Sequence, residues 1–184
     1  MEQLNPRARR DAYGSKINRD HSPLLAYGVP WLSILLASLT PLLPIISSAP
    51  IIPPLALMFL IGWRMLRPGL LPLWAGLPMG LFDDMYSGQP LGSGILLFSL
   101  TLIALDLIEL RFPWSGFWQD WLVASMILSV YVVLAALLSG ASVSYIQLGV
   151  ILPQLLLTIA AFPVVARVIA MFDRVRLLRI RRLS

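Results

Sequence analysis

Two adjacent carboxylates, Asp83 and Asp84, interrupt a chain that is otherwise apolar to either side of them. The stretch that holds them, Gly76–Gly94, reads GLPMGLFDDMYSGQPLGSG, with five glycines and no Lys or Arg. Placing an Asp near the middle of a bilayer costs roughly 2.5–3.5 kcal/mol on insertion scales. Such a residue has to face protein or water, and glycines beside it let neighbouring backbones come close. The segment is therefore expected to hold the packing and the contacts of the chain together.

The bilayer itself follows from composition. Of 184 residues 58% are hydrophobic and 12% charged, with a mean hydropathy of +0.82. A soluble domain carries about 25% charged residues, so this chain has half the usual share, spread over runs as long as bilayer spans. A crossing takes about 20 helical residues, which leaves room for about six crossings and no sizeable soluble domain. Open strands are excluded in lipid because their backbone groups go unpaired. The alternating segments of about ten residues that mark a membrane barrel are absent. The expected fold is an all-α integral membrane protein with six transmembrane helices.

Residues 1–22 are polar and basic, with Arg7, Arg9, Arg10, Lys16 and Arg19, and read as a flexible cytoplasmic arm. Arg9-Arg10 lacks the closely following apolar segment of a twin-arginine signal. The small residues Ser47-Ser48-Ala49 resemble a cleavage site, but the run Leu24–Ile46 is too long for a signal core, so an uncleaved first helix is expected, bent or ended by Pro41 and Pro44. Helix two is expected from Ile51 or Leu55 to Leu66, and helix three from Gly69 to Phe82. Each is short, and Arg64 and Arg67 between them argue against a hairpin that stops in hydrocarbon. The acidic stretch 83–90 then forms an outer connection. Helix four covers Leu91–Leu110, helix five Trp118–Leu138 and helix six Tyr145–Phe172, bent at Pro153 and Pro163. The six helices make one membrane domain over 23–172, and 173–184 is a basic cytoplasmic tail. With both termini inside, every Lys and Arg except Arg167 falls in an inner segment and the three outer connections carry none. That distribution obeys the positive-inside rule. It accounts for the net charge of +5 without a nucleic-acid partner.

Catalytic groups are sparse. The single histidine, His21, lies in the basic arm with no cluster around it, and no nucleophile elbow or Ser-Lys pair occurs. Asp83 and Asp84 point about 100° apart on a helix, so they are not a facing acid–base dyad. Two carboxylates fall short of the six or more oxygens a hard cation takes. The chain has no cysteine, hence no disulfide and no thiolate metal site. No phosphate-binding glycine loop is present. The expectation is a non-enzyme without cofactor or metal.

Other features suggest packing and surfaces. Gly76-x-x-x-Gly80 and Gly88-x-x-x-Gly92 have the small-residue spacing that brings membrane helices together, within one chain or between two. Asp106 and Glu109 near the inner end of helix four lie at a depth similar to Arg167 on helix six, which suggests an ion pair of Arg167 with one of them, although snorkelling to the interface accounts for the same positions. The tail alternates five arginines with apolar residues and fits an anionic leaflet, each Arg gaining about 1 kcal/mol there. A purely topogenic tail has the same composition.

From Gly80 to Gly92 the sequence GLFDDMYSGQPLG resembles the bacterial rod shape-determining MreD family, with Gly80, Asp84, Ser87, Gly88, Leu91 and Gly92 in matching order. The short proline-led second helix and the arginine-tipped turn before the motif look similar too, so the resemblance covers about residues 24–172. Asp83 and the long arginine-bearing arm depart from the pattern. The resemblance implies a non-catalytic component of the cell-elongation machinery in the bacterial inner membrane. It implies an MreC-like bitopic partner and, through it, MreB filaments and the peptidoglycan synthase formed by a SEDS glycosyltransferase and a penicillin-binding protein. It also implies a membrane fold similar to the S-components of energy-coupling-factor transporters. The expected partner or packing surface is helix three, the Asp84 turn and the start of helix four, with Asp84 capping that turn or helix four. The rival is an S-component-like subunit that carries a small solute, against which the few polar side chains inside the helices count.

Overall fold

A computed structural model describes residues 23–42, 52–112, 116–140 and 145–176. The basic arm 1–22 with His21, the small-residue turn 141–144 and the end of the tail, 177–184, lie outside the described residues. Among the described residues six α-helices follow one another: α1 Pro23–Ser38, α2 Leu55–Leu66, α3 Gly76–Ser87, α4 Ser93–Arg111, α5 Phe117–Leu138 and α6 Tyr145–Arg176. Short 3-10 turns at Thr40–Leu42 and Leu73–Ala75 follow α1 and precede α3. The described residues contain no strand, as expected of an all-α chain.

The central element is α2. Leu57, Met58, Leu60, Ile61 and Trp63 are fully buried, and α2 touches α1, α4, α5 and α6. Its start is defined by Pro53-Pro54, with the Met58 amide donating to the Pro54 carbonyl at 3.0 Å. It stops at Arg67, ahead of Pro68, whose ring disfavours a helical residue before it. A helix apolar on every side suits this position, because it is surrounded by protein. Trp63 satisfies its indole N–H by donating to Ser33 of α1 at 2.8 Å. Gly62 admits the Ile169 side chain of α6 where a Cβ would collide with it.

Length separates the helices into two groups. α4, α5 and α6 are long and apolar enough to cross a bilayer. α2 and α3, with 12 residues each, reach about 18 Å at 1.5 Å per residue, short of a hydrocarbon core of about 30 Å.

Three boundaries differ from expectation. α3 begins at Gly76 rather than Gly69 and continues through Asp83 and Asp84 to Ser87, so the acidic pair belongs to a helix and not to a connection. Pro78 is tolerated because it falls in the first turn, where the amide has no intrahelical partner. α1 is α-helical only to Ser38, three residues before Pro41. α6 runs past Phe172 to Arg176, held there by ion pairs of Asp173, so the boundary expected at 172–173 falls inside a helix.

Candidate functional site

The tightest packing in the fold is the antiparallel pair α3–α4. A Cβ on Gly80 would stand 2.5 Å from the Gly94 carbonyl oxygen and 2.6 Å from the Ile95 Cα. One on Gly76 would stand 2.8 Å from the Ser99 backbone. Gly94 is equally closed, with the Gly80 carbonyl oxygen at 2.7 Å and Asp84 Oδ1 at 2.6 Å from its ideal Cβ. Gly76 and Gly80 are therefore spent on backbone contact within the chain. Gly88 and Gly92 serve differently: space around both is open, but their φ angles are +68° and +98°. They let the chain leave α3 and enter α4 through left-handed conformations that a side chain would strain. The close approach expected of Gly88-x-x-x-Gly92 is absent for that reason.

Asp84 ties the turn together. Its Oδ2 accepts the Gly92 amide at 2.8 Å and its Oδ1 accepts the Gly94 amide at 2.7 Å, while the nearby Ser93 hydroxyl donates to the Pro90 carbonyl at 2.7 Å. The first amides of a helix have no intrahelical acceptor, and a carboxylate there also meets the positive end of the helix dipole. Asp84 is thus the cap of α4, delivered from the preceding helix, and it is buried with no ion-pair partner among the described residues. Ser87 Oγ faces the Gln89 amide at 3.5 Å, and Leu91 is exposed at the tip of the turn.

Asp83 points elsewhere. It is buried and lines a cavity of about 470 Å³ between the N-terminus of α2, the C-terminal ends of α3 and α5, and the first half of α6. Tyr131, Gln89 and Gln154 line it too. Gln154 donates its amide to the Ile52 carbonyl at 3.0 Å, closing one wall.

At the other end of α2 the charges collect. Arg64, whose side chain is 7% exposed, places Nη2 at 2.6 Å from Asp106 Oδ1 and 2.9 Å from Glu109 Oε2 on α4. Its buried Nε and Nη1 have no hydrogen-bond partner among the described residues. Arg67 places Nη2 at 2.7 Å from Asp173 Oδ2 on α6, and that carboxylate, by hydrogen bond and by charge, raises the Arg67 guanidinium above its ordinary value. Arg176 reaches Asp173 at 3.0 Å and lies over the Trp63 ring, 5.9 Å from its centroid. Three guanidiniums and three carboxylates thus bind the ends of α2, α4 and α6 together. No group of three or more His, Cys, Asp or Glu that could hold a metal occurs among the described residues.

The family model for rod shape-determining protein MreD matches residues 24–175. The chain belongs to the MreD family. It is a membrane-embedded rod-shape protein, a member of a family that acts in the cell-shape machinery. Neither a curated protein nor a solved structure matches it.

In this MreD-family chain the expected ion pair of Arg167 is corrected. Arg167 is exposed on α6 and makes no ion pair among the described residues, while Asp106 and Glu109 both belong to Arg64. Similar depth along two helices does not make them neighbours: α4 packs on α2, α3 and α5, and Arg64 gets there first. Arg64 stood in the sequence only as a topological marker. One signal was present, since an Arg in the last turn of a short helix shares its depth with the acidic end of the next long one. The Gly80–Gly92 elbow, by contrast, comes together as one unit, with Gly80 and Asp84 both contacting Gly94 from α3.

Proposed function

We propose that the chain is a non-catalytic scaffold of the cell-elongation machinery in the bacterial inner membrane, with both termini cytoplasmic and six helices in the bilayer. It binds an MreC-like bitopic protein, and through it connects to MreB filaments and to the SEDS glycosyltransferase–penicillin-binding protein synthase. The basic end of the chain rests on anionic lipid. The observation that supports this reading is the α3–α4 elbow, in which Gly76, Gly80 and Asp84 build a rigid hairpin. A hairpin fixed by backbone contact and by a buried cap presents its outer side without rearranging, which limits the entropy lost on association.

The partner surface is the outward ridge of that hairpin. Leu77, Leu81 and Met85 repeat every four residues on the exposed side of α3, with Leu96, Leu100, Ile103 and Leu107 exposed on α4. Gly76 and Gly80 act indirectly, by setting how close the two helices stand. A double variant of the whole chain tests this in native membranes. Leu81→Ala/Met85→Ala should lose most of the co-purifying MreC-like protein while the chain stays folded. Undiminished co-purification together with normal rod shape would refute the surface.

The rival reading, a subunit that carries a small solute for a partner ATPase, is favoured by one observation, the cavity beside Asp83. Uptake by the purified chain with an ATPase complex, or capture of such a complex in place of an MreC-like protein, would decide for it.

A further inference from the structure

Asp83 is not accounted for by the elbow. Unlike Asp84, it caps nothing, and its hydrogen-bonding neighbour is the Ser38 hydroxyl of α1. A buried carboxylate in a membrane protein needs a compensating charge, water or a proton. The described residues lining its cavity include no Lys, Arg or His. The undescribed segments 43–51 and 141–144 that join the neighbouring helix ends contain none either. The cations of the bundle that the structure describes in ion pairs sit at the opposite end of α2. No described residue at this end supplies a positive charge, so Asp83 is open to water, to a proton or to a cation that enters the cavity.

We propose that the cavity is a binding site for a protonated primary amine, with Asp83 as its charge partner. Its volume, about 470 Å³, lies within the range of about 300–1,000 Å³ typical of small-molecule sites. Leu57, Val132 and Ala135 supply apolar wall, and Tyr131, with Gln89 beside its hydroxyl, supplies hydrogen-bonding groups. An ammonium donates three hydrogen bonds and accepts none, matching a carboxylate, a phenol oxygen and an amide oxygen. An anion is disfavoured by the adjacent carboxylates of Asp83 and Asp84. The amine can be a soluble molecule or the head of an aminophospholipid, since both carry the same recognised group. The site is independent of the scaffold reading and holds whether or not an MreC-like partner is found.

The test uses the full chain in nanodiscs of phosphatidylglycerol, with two probes: ethanolammonium chloride in solution, and phosphatidylethanolamine added to the disc. The expected result is a saturable rise in melting temperature with at least one probe, beyond that given by matched sodium chloride. Asp83→Asn keeps the shape, removes the charge and should weaken binding about tenfold or more. Should that variant fail to fold, Ala136→Leu, which narrows the cavity without touching the carboxylate, should also abolish the response. Displacement of the lipid by ethanolammonium assigns the site to a soluble amine, and a response to the lipid alone assigns it to a headgroup. No saturable response to either probe would overturn the proposal. So would an Asp83→Asn protein, or in its place an Ala136→Leu protein, that binds as the native chain does.

Discussion

Asp84 Oδ1 lies 2.7 Å from the amide nitrogen of Gly94, ten residues further along the chain and on the next helix. The carboxylate and the glycine need one another. A side chain at 94 would displace the carboxylate, and without the carboxylate the first amides of α4 would be buried with no acceptor.

Stability measurements on Asp84 variants check this directly. Hydrogen bonds to a charged group contribute about 1.5–3 kcal/mol, and a lost cap costs about 0.5–2 kcal/mol. Asp84→Ala should destabilise the chain by roughly 2–3 kcal/mol, and Asp84→Asn by less, because one amide oxygen still accepts. Equal melting of the native and Ala proteins in detergent would refute the cap.

The glycines should separate into two groups. Gly80→Ala meets backbone atoms of α4 that cannot move aside, so the helices must part, at about 1–3 kcal/mol or more. Gly88→Ala meets open space and incurs only the left-handed backbone, about 1–2 kcal/mol. Cross-linking across the α3–α4 interface distinguishes the two groups, since only the first should lose the crossing.

Arg64 binds two carboxylates with one nitrogen, which predicts non-additive mutations. Asp106→Ala and Glu109→Ala should each be mild, because the remaining partner still neutralises the guanidinium and both carboxylates are half-exposed. Together they strand a buried cation, a change that costs about 3–5 kcal/mol in comparable pairs, well above the sum of the singles. Arg167→Ala, by contrast, should stay within about 0.5 kcal/mol of the native chain. A double-mutant cycle of urea or SDS unfolding measures all of these.

Orientation is open to reporter fusions. Arg64 and Arg67 close the end of α2 together with the ends of α4 and α6, so the three ends lie on one side of the bundle. Reporters at Gly69 and after Arg176 should agree with each other and be cytoplasmic. A reporter at Gly140, after α5, should be on the opposite side.

The membrane habit, the helical class and the order of the helices were legible in the one-dimensional pattern, because the bilayer imposes them locally. Apolar length, the absence of strand periodicity and the placing of Lys and Arg each act on a segment by itself. The importance of Gly80, Asp84 and Gly92 was legible for the same reason, since a carboxylate among glycines in apolar sequence has few affordable environments. Helix ends were less legible. α3 was expected to stop before Asp83, yet it runs on because α4 supplies Asp84 with donors from ten residues away.

Partner choice was decided by the tertiary arrangement. Arg64 takes Asp106 and Glu109, and Arg167 takes neither, because α2 occupies the centre of the bundle and α6 meets α4 little. The divergence of Asp83 and Asp84 arose in the same way: neighbours 100° apart on one helix found an amide cap on one side and a cavity on the other. Hydropathy fixes how deep a residue sits in the membrane, a single coordinate. Which side chain stands opposite it depends on rotation and neighbourhood, and those come only from packing all six helices together.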